Sequence, residues 1–206
     1  MFTGIVQGMG IVRARKDAPG LVRLTIELPE RAQGEIQIGA SVSVGGVCLT
    51  IESGTATEVI FAIIQETLSK TTLGNLQIND SVNIERAAKY GDEIGGHHVS
   101  GHVFGVAKIV NLQNPINNHV VTLQCPPEWF KYILPKGYIT LDGASLTIVN
   151  PDTAAGTFEV HLIPESLAVT TFGQKKVGDS VNVEFDVTTQ AIVDTTERVL
   201  AIQQTV

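Results

Sequence analysis

The sequence repeats itself, and this repeat constrains the fold more than any other feature. Four blocks recur in the same order in the two halves of the chain: Thr3–Val6 as Ser100–Val103, Gly45–Ile51 as Asp142–Ile148, Gln65–Gly74 as Pro164–Gly173, and Asn79–Glu85 as Gly178–Glu184. Ordered recurrence over this length indicates a tandem duplication. We therefore predict two homologous domains, residues 1–97 and 98–187, followed by a tail, residues 188–206, that has no counterpart.

Both halves carry the alternating pattern of half-buried strands. Apolar and polar residues alternate through Val22–Leu28 and again through the equivalent His119–Cys125. Turn signals such as Asn79–Asp80 separate these short segments. About six strands in each half, with only brief helical pieces, favour a small closed barrel, which leaves no strand edge exposed. The predicted fold class is therefore mainly β, with two tandem barrels.

The tail is predicted to form a C-terminal α-helix. Ile192, Val199 and Ile202 recur at helical spacing, and Thr188 precedes good helix formers in the position of a cap. Two interpretations remain open: the helix packs on its own barrel, or it pairs subunits.

The composition excludes several functional classes. Of the 206 residues 43% are hydrophobic and 17% charged, and the net charge of −7 comes without the clustered Lys and Arg that nucleic-acid binding needs. No apolar run reaches the length of a membrane span, and the start of the chain lacks the basic residues of a signal peptide. Cys48 and Cys125 occupy non-equivalent positions, so no disulfide is expected. We expect a cytoplasmic protein with neither a membrane nor a nucleic-acid partner.

Polar and glycine positions shared by both copies are candidates for binding one kind of ligand twice. Glycine would let backbone approach a flat ligand closely, and hydroxyl and carboxyl groups of similar reach recur. These pairs are Gly4/Gly101, Gly46/Gly143, Thr50/Thr147, Glu66/Glu165 and Thr67/Ser166. The alternative is that the fold alone requires them.

Positions at which the copies differ are the candidates for catalysis. Cys48 corresponds to Ser145, Ile5 to His102, and Ala87 to Asp186. These residue types transfer protons and add to electrophilic carbons. The alternatives are an inert buried thiol, a satisfied strand histidine and a strand-end carboxylate. His97, His98 and His102 suggest a metal, but no acidic or cysteine ligand completes the set nearby, so no metal is predicted.

Several motifs together resemble the riboflavin synthase family, over essentially the whole chain. They are Met1–Val6 (MFTGIV), Asn83–Ala87 (NIERA), Gly95–Val103 (GGHHVSGHV) and Asp142–Thr147 (DGASLT). One departure is Phe104, where many relatives carry Asp. The resemblance implies two six-stranded Greek-key barrels and a helix that gathers three chains into a homotrimer.

The resemblance also implies a reaction and its residues. Two molecules of 6,7-dimethyl-8-ribityllumazine would exchange a four-carbon unit, giving riboflavin and 5-amino-6-ribitylaminouracil without a cofactor. The first barrel of one subunit would face the second barrel of its neighbour. The implied catalytic residues are Cys48, Ser145, His102 and Asp186.

The implied substrate-binding residues form two pockets, with Lys136 at their shared boundary. The first pocket comprises Gly4, Ile5, Val6, Cys48, Leu49, Thr50, Ala62, Ile63, Ile64, Gln65, Glu66 and Thr67. The second comprises Gly101, His102, Val103, Ser145, Leu146, Thr147, His161, Leu162, Ile163, Pro164, Glu165 and Ser166. Two rival functions are a non-catalytic chromophore carrier similar to lumazine proteins, and an interaction protein made of paired barrels.

Overall fold

A computed structural model describes residues 1–203 and contains two β-domains followed by a helix. The first domain is a closed antiparallel barrel in the order β1-β2-β5-β4-β3-β6. Its elements are β1 (Gly8–Ala18), β2 (Leu21–Glu27), β3 (Ser41–Val44), β4 (Val47–Gly54), β5 (Glu58–Ile64), α1 (Gln65–Lys70) and β6 (Ser81–Arg86), with 3-10 helices at Glu30–Ala32 and Thr72–Asn75.

The second domain is a curled seven-stranded sheet in the order β10-β9-β13-β7-β8-β12-β11. Its elements are β7 (Gly105–Gln113), β8 (His119–Gln124), β9 (Tyr138–Leu141), β10 (Ala144–Thr147), β11 (Val149–Asp152), β12 (Thr157–Leu162), α2 (Pro164–Val169) and β13 (Ser180–Phe185), with 3-10 helices at Pro127–Lys131 and Thr171–Gly173.

The seventh strand arises because the equivalent of β4 is interrupted. β10 and β11 are consecutive pieces separated by Ile148, and they form the two ends of the sheet. Asn150 has a φ of 45°, a left-handed conformation that ends regular pairing, and the β11–β12 register shifts between Val149 and Asp152. The first barrel has a register shift at the same point, between Ile51 and Ser53. The predicted mainly-β double-barrel class is confirmed, with this one split strand.

The alternating pattern predicted from the sequence is the pattern of burial. Along β2, Val22, Leu24 and Ile26 are buried while the residues between them are not. Full burial of such a side chain contributes about 1.5–3 kcal/mol. The repeat extends into the two cores, because Phe61 in β5 and its equivalent Val160 in β12 are both fully buried. Each domain therefore has its own core.

Two N-terminal segments, residues 1–7 and 98–104, cross between the barrels; we call them the crossed segments. They pair with each other where Phe2 N donates to Val99 O at 2.8 Å and Val99 N donates to Phe2 O at 3.0 Å. Val6 is then buried in the core of the second barrel, whereas Val103 packs against the core of the first. Each domain thus completes its core with a residue from the segment that precedes the other.

A reciprocal pair of buried asparagines joins the barrels a second time. Asn83 Nδ2 donates to Asp142 O at 2.9 Å, and Asn83 Oδ1 accepts from Thr171 N at 2.8 Å. The equivalent Asn182 donates to Gly45 O at 2.8 Å and accepts from Thr72 N at 2.8 Å. Polar groups buried at such a contact need partners, and here each barrel supplies them to the other.

The C-terminal helix α3 spans Val187–Gln203. Its N-cap is Asp186, whose carboxylate accepts from Thr189 N at 2.7 Å and Thr189 Oγ1 at 2.9 Å, so the predicted Thr188 cap is wrong. A carboxylate at this position also interacts favourably with the helix dipole. The last three residues of the predicted tail, 204–206, lie outside the described residues.

One side of α3 packs on the second barrel. Val193 packs against the core, Lys131 Nζ donates to Glu197 at 2.6 Å, and Tyr132 Oη donates to Asp194. Ile192, Val199 and Leu200 remain 62%, 49% and 52% exposed. The helix therefore contacts its own barrel and still presents an apolar face. None of the helices within residues 1–203 is long and apolar enough to cross a bilayer.

Candidate active site

The crossed segments bring the mismatched residues of one copy against the glycines of the other. Ser145 N donates to Gly4 O at 2.8 Å, and Cys48 N donates to Gly101 O at 2.8 Å. The predicted ligand pockets group Gly4 with Cys48 and Gly101 with Ser145, whereas these backbone hydrogen bonds pair the residues the other way. We call the two arrangements the serine site (Ser145 with Gly4) and the cysteine site (Cys48 with Gly101).

Only glycine fits at the two crossing points. A Cβ on Gly4 would lie 2.5 Å from Ser145 Cβ, and one on Gly101 would lie 2.6 Å from Cys48 Cβ. Both glycines also have positive φ, +75° and +81°. The fold alone therefore requires glycine at these two positions, which was the alternative to close approach to a flat ligand. The group that each glycine approaches is a strand of the other barrel.

Two buried glutamates hold the crossed segments in place. Glu85 accepts from Thr3 N at 2.6 Å and Gly4 N at 3.0 Å, and the equivalent Glu184 accepts from Ser100 N at 2.7 Å and Gly101 N at 2.9 Å. Burial raises the pKa of Glu85, and the hydrogen bonds from Thr3 and Gly4 oppose that rise. Sequence reasoning missed both glutamates, although their recurrence at the end of the block Val-Asn-Ile/Val-Glu was the signal.

An imidazole contacts the Ser145 hydroxyl, and it belongs to His97. His97 Nδ1 lies 2.7 Å from Ser145 Oγ, and Nε2 lies 3.2 Å from Thr140 Oγ1. The ring stacks on Tyr138 with centroids 4.8 Å apart. Burial lowers the pKa of His97, and the Asp186 carboxylate partly offsets this. His97 was considered only as a metal ligand in the sequence; within residues 1–203 no group of three or more His, Cys, Asp or Glu side chains is arranged to hold a metal ion.

The other candidate catalytic residues have different surroundings. His102 is exposed on its crossed segment, with its backbone N donating to Ser100 Oγ at 3.1 Å. Cys48 is a half-buried free thiol. Cys125 is buried, and burial raises its pKa to about 11, so it stays a protonated thiol at neutral pH. Asp186 makes two interactions: its carboxylate caps α3, and the same carboxylate raises the pKa of His97.

The predicted pocket-lining residues divide into exposed and buried groups. Ile5, Ile64 and Ile163 are 48%, 56% and 57% exposed and offer apolar surface. Four predicted lining residues direct their side chains into the cores and can offer a ligand only backbone: Val6, Leu49, Ile63 and Leu162.

Of the remaining predicted lining residues, Glu66 lies in α1, His161 in β12 and Lys136 in the loop before β9. Glu66 pairs with Lys70 at 2.8 Å at the surface. His161 Nδ1 lies 3.0 Å from Asn118 Nδ2. Lys136 is exposed, with a φ of 65°.

Phe104, the departure from the family pattern, has a structural explanation. Its ring packs edge-on against Trp129 at 5.4 Å and against Phe185 at 5.0 Å, next to Tyr132. Such pairs contribute about 0.5–1.5 kcal/mol beyond their buried area. An apolar residue here joins the crossed segment to the aromatic cluster beside α3.

Comparison with known proteins agrees with the duplicated architecture. Residues 3–87 and 100–186 each match the lumazine binding domain family. The chain is 44% identical to a riboflavin synthase from Escherichia coli (strain K12), over 99% of this chain and 95% of that protein. It is 42% identical to a riboflavin synthase from Chlamydia pneumoniae, over 98% of each chain.

Solved structures with the same fold carry related ligands. LumP complexed with riboflavin superposes with a TM-score of 0.82 at 26% identity, covering 90% of this chain and 100% of that chain. LumP complexed with 6,7-dimethyl-8-(1'-D-ribityl) lumazine superposes with a TM-score of 0.80 at 26% identity, over 90% and 99%. By its two lumazine binding domains and its near-full-length identity to these enzymes, the chain belongs to the riboflavin synthase family.

Proposed function

We propose that the chain catalyses the dismutation of two 6,7-dimethyl-8-ribityllumazine molecules to riboflavin and 5-amino-6-ribitylaminouracil. The observation that carries the proposal is the pair of homologous sites with unlike reactive groups, a thiol at Cys48 and a hydroxyl at Ser145. The four-carbon unit that one lumazine loses is the unit that the other gains. The reaction therefore balances without an oxidant, a reductant or a cofactor.

The reaction needs little beyond positioning and proton transfer. The 7-methyl group of the lumazine is acidic, because its carbanion delocalises into the ring system. One lumazine therefore needs a base or a hydrogen-bond partner, and the other needs a nucleophile at its ring carbon. Holding two rings face to face can supply about 7–11 kcal/mol of the barrier. We assign these tasks to Cys48, Ser145, His102 and Asp186, with flat-ring contacts from the exposed isoleucines Ile5, Ile64 and Ile163.

We further propose that the complete site forms between subunits of a homotrimer. The apolar face of α3, formed by Ile192, Val199 and Leu200, supports subunit contact, because exposed apolar patches mark interaction surfaces. The first barrel of one subunit would then face the second barrel of the next. Two unpaired cysteines suit a reducing compartment, so we propose a cytoplasmic location.

Fluorescence distinguishes the enzyme from its main rival. Purified protein incubated with the lumazine should release riboflavin continuously, with one uracil product per riboflavin. The ligand-bound LumP structures favour a carrier as the second candidate. A carrier would form a stable coloured complex without turnover, and that result would overturn the proposed activity.

Complementation tests whether the site is shared between subunits. Cys48→Ala and Ser145→Ala variants are unfolded, mixed and refolded, so that subunits assemble at random. In a closed ring, roughly a quarter of the contacts then join an intact cysteine site to an intact serine site. We expect about that fraction of the wild-type rate. A mixture no faster than its two components would place the whole site within one chain.

A further inference from the structure

The serine site contains a hydrogen-bonded chain that the candidate catalytic residues do not explain. It runs from Ser145 Oγ to His97 Nδ1 over 2.7 Å, and from His97 Nε2 to Thr140 Oγ1 over 3.2 Å. We propose that His97 is a positioning residue that orients and polarises the Ser145 hydroxyl. This inference rests on the proposed function, because it assigns a residue to that reaction.

The surrounding contacts fix the imidazole from several sides. His97 N donates to Thr3 O at 3.1 Å, which ties the ring to the first crossed segment. The ring face stacks on Tyr138, and Thr140 is only 1% exposed. A histidine held by a third group against a hydroxyl is the arrangement by which proteins activate a serine. One face of the hydroxyl is thus occupied, and its remaining lone pairs are free to meet a ligand.

Packing also controls the position of the hydroxyl itself. Ser145 N donates to Gly4 O, so the backbone of the residue is fixed by the other barrel. A Cβ on Gly96 would lie 3.1 Å from Ser145 Oγ and 2.0 Å from Thr3 O. The segment before His97 therefore approaches the serine as closely as only glycine permits. The rotamer of Ser145 and the ring of His97 are set together.

Burial favours a neutral imidazole that can accept a proton. His97 is 7% exposed, and burial lowers its pKa. The groups that face it are Asp186, which raises the pKa, and His98, which lowers it. The nearby Glu184, on the strand beside Thr140, has its carboxylate bound by the amides of Ser100 and Gly101. With Nε2–H donating to Thr140, Nδ1 accepts from the Ser145 hydroxyl.

Three variants separate positioning from simple packing. His97→Asn places a carboxamide oxygen near the former Nδ1, so the hydroxyl keeps an acceptor that does not titrate. His97→Phe keeps the stack on Tyr138 and removes the acceptor. The adjacent exposed His98 provides the matched control, His98→Asn. All are compared by kcat and KM for the lumazine over pH 5–8, after circular dichroism has shown native folding.

The expected result is a change in kcat and in its pH profile. A positioned proton acceptor is worth on the order of 100-fold, so His97→Phe should lower kcat about that much with little change in KM. His97→Asn should recover about a tenth of the rate and lose the acid limb expected of the wild type, which burial of His97 places below the ordinary histidine value of about 6.5. His98→Asn should stay within about twofold of the wild type at pH 7.5.

The opposing result is equally clear. The inference would be overturned if the acid limb survived in folded His97→Asn, or if the variants lost activity through a change in KM alone. Either result would leave the proposed enzymatic function unaffected. Absence of turnover in the wild type would instead remove the proposed function. If the variants do not fold, an NMR titration of His97 in the wild type decides. Its pKa must match the acid limb and must change in Ser145→Ala.

Discussion

Replacing Asn182 by alanine tests the contact that joins the two barrels. The asparagine is 1% exposed, and its side chain takes part in three hydrogen bonds to the first barrel. A net contribution of about 1 kcal/mol per bond predicts that Asn182→Ala lowers the free energy of unfolding by about 3 kcal/mol. The loss is large because Gly45 O and Thr72 N lose their partner inside the protein.

The reciprocal residue gives an internal comparison. Asn83 makes two side-chain bonds to the second barrel, so Asn83→Ala should cost about 2 kcal/mol. Asn111 is an exposed asparagine in β7, and Asn111→Ala should change stability by no more than about 0.5 kcal/mol. Urea unfolding at one fixed protein concentration measures all three, because assembly shifts apparent stability. The reasoning fails if Asn182→Ala and Asn111→Ala unfold at the same urea concentration.

Four further predictions concern the crossing, the cap, the acid limb of kcat and the apolar helix face. Gly101→Ala should lower the free energy of unfolding in urea by more than about 3 kcal/mol, because its Cβ would clash with Cys48. The control Gly20→Ala has nothing within 4 Å and should show only the strain of its +71° φ, about 1–2 kcal/mol. Equal losses of stability in the two variants would contradict the predicted clash at Gly101. Asp186→Asn keeps a cap while Asp186→Ala loses about 1 kcal/mol. Because the Asp186 carboxylate raises the pKa of His97, Asp186→Asn should move the acid limb of kcat to lower pH, and an unmoved or raised limb would refute this sign. Leu200→Glu, on a side chain 52% exposed, should turn the proposed trimer into folded monomers in sedimentation and abolish turnover. An unchanged mass would exclude this helix face as the subunit contact.

The sequence was most informative where the repeat could be compared with itself. Ordered blocks identified two barrels, and alternation identified the buried face of β2. In β8 Val121 and Leu123 are buried as predicted, but Val120 on the opposite face is buried too. The unlike pair Cys48 and Ser145 was found because equivalent positions differed. Aligning the two repeats shows at which positions they differ, and this does not require knowing how the two barrels pack.

The contacts between barrels could not be predicted in the same way. Thr3–Val6 and Ser100–Val103 are similar segments, so the sequence does not say whether each lies on its own barrel or on the other. His97 lies just outside the matched blocks, which is why no comparison drew attention to it. The cap was assigned to Thr188 because sequence alone does not show that Asp186 has already left the strand.

The crossed segments indicate that the ancestor of this chain was a dimer of single-barrel subunits. Before the gene was duplicated, a polypeptide half as long would have carried one barrel and one such arm. Two identical copies, related by a twofold axis, could close the same pair of contacts that Gly4 and Gly101 now close inside a single molecule. Gene fusion placed the two exchanged segments and their barrels in one chain, where the two copies can mutate independently. That independence allowed a thiol on one side and a hydroxyl on the other, which a symmetric pair encoded by one gene could not have acquired.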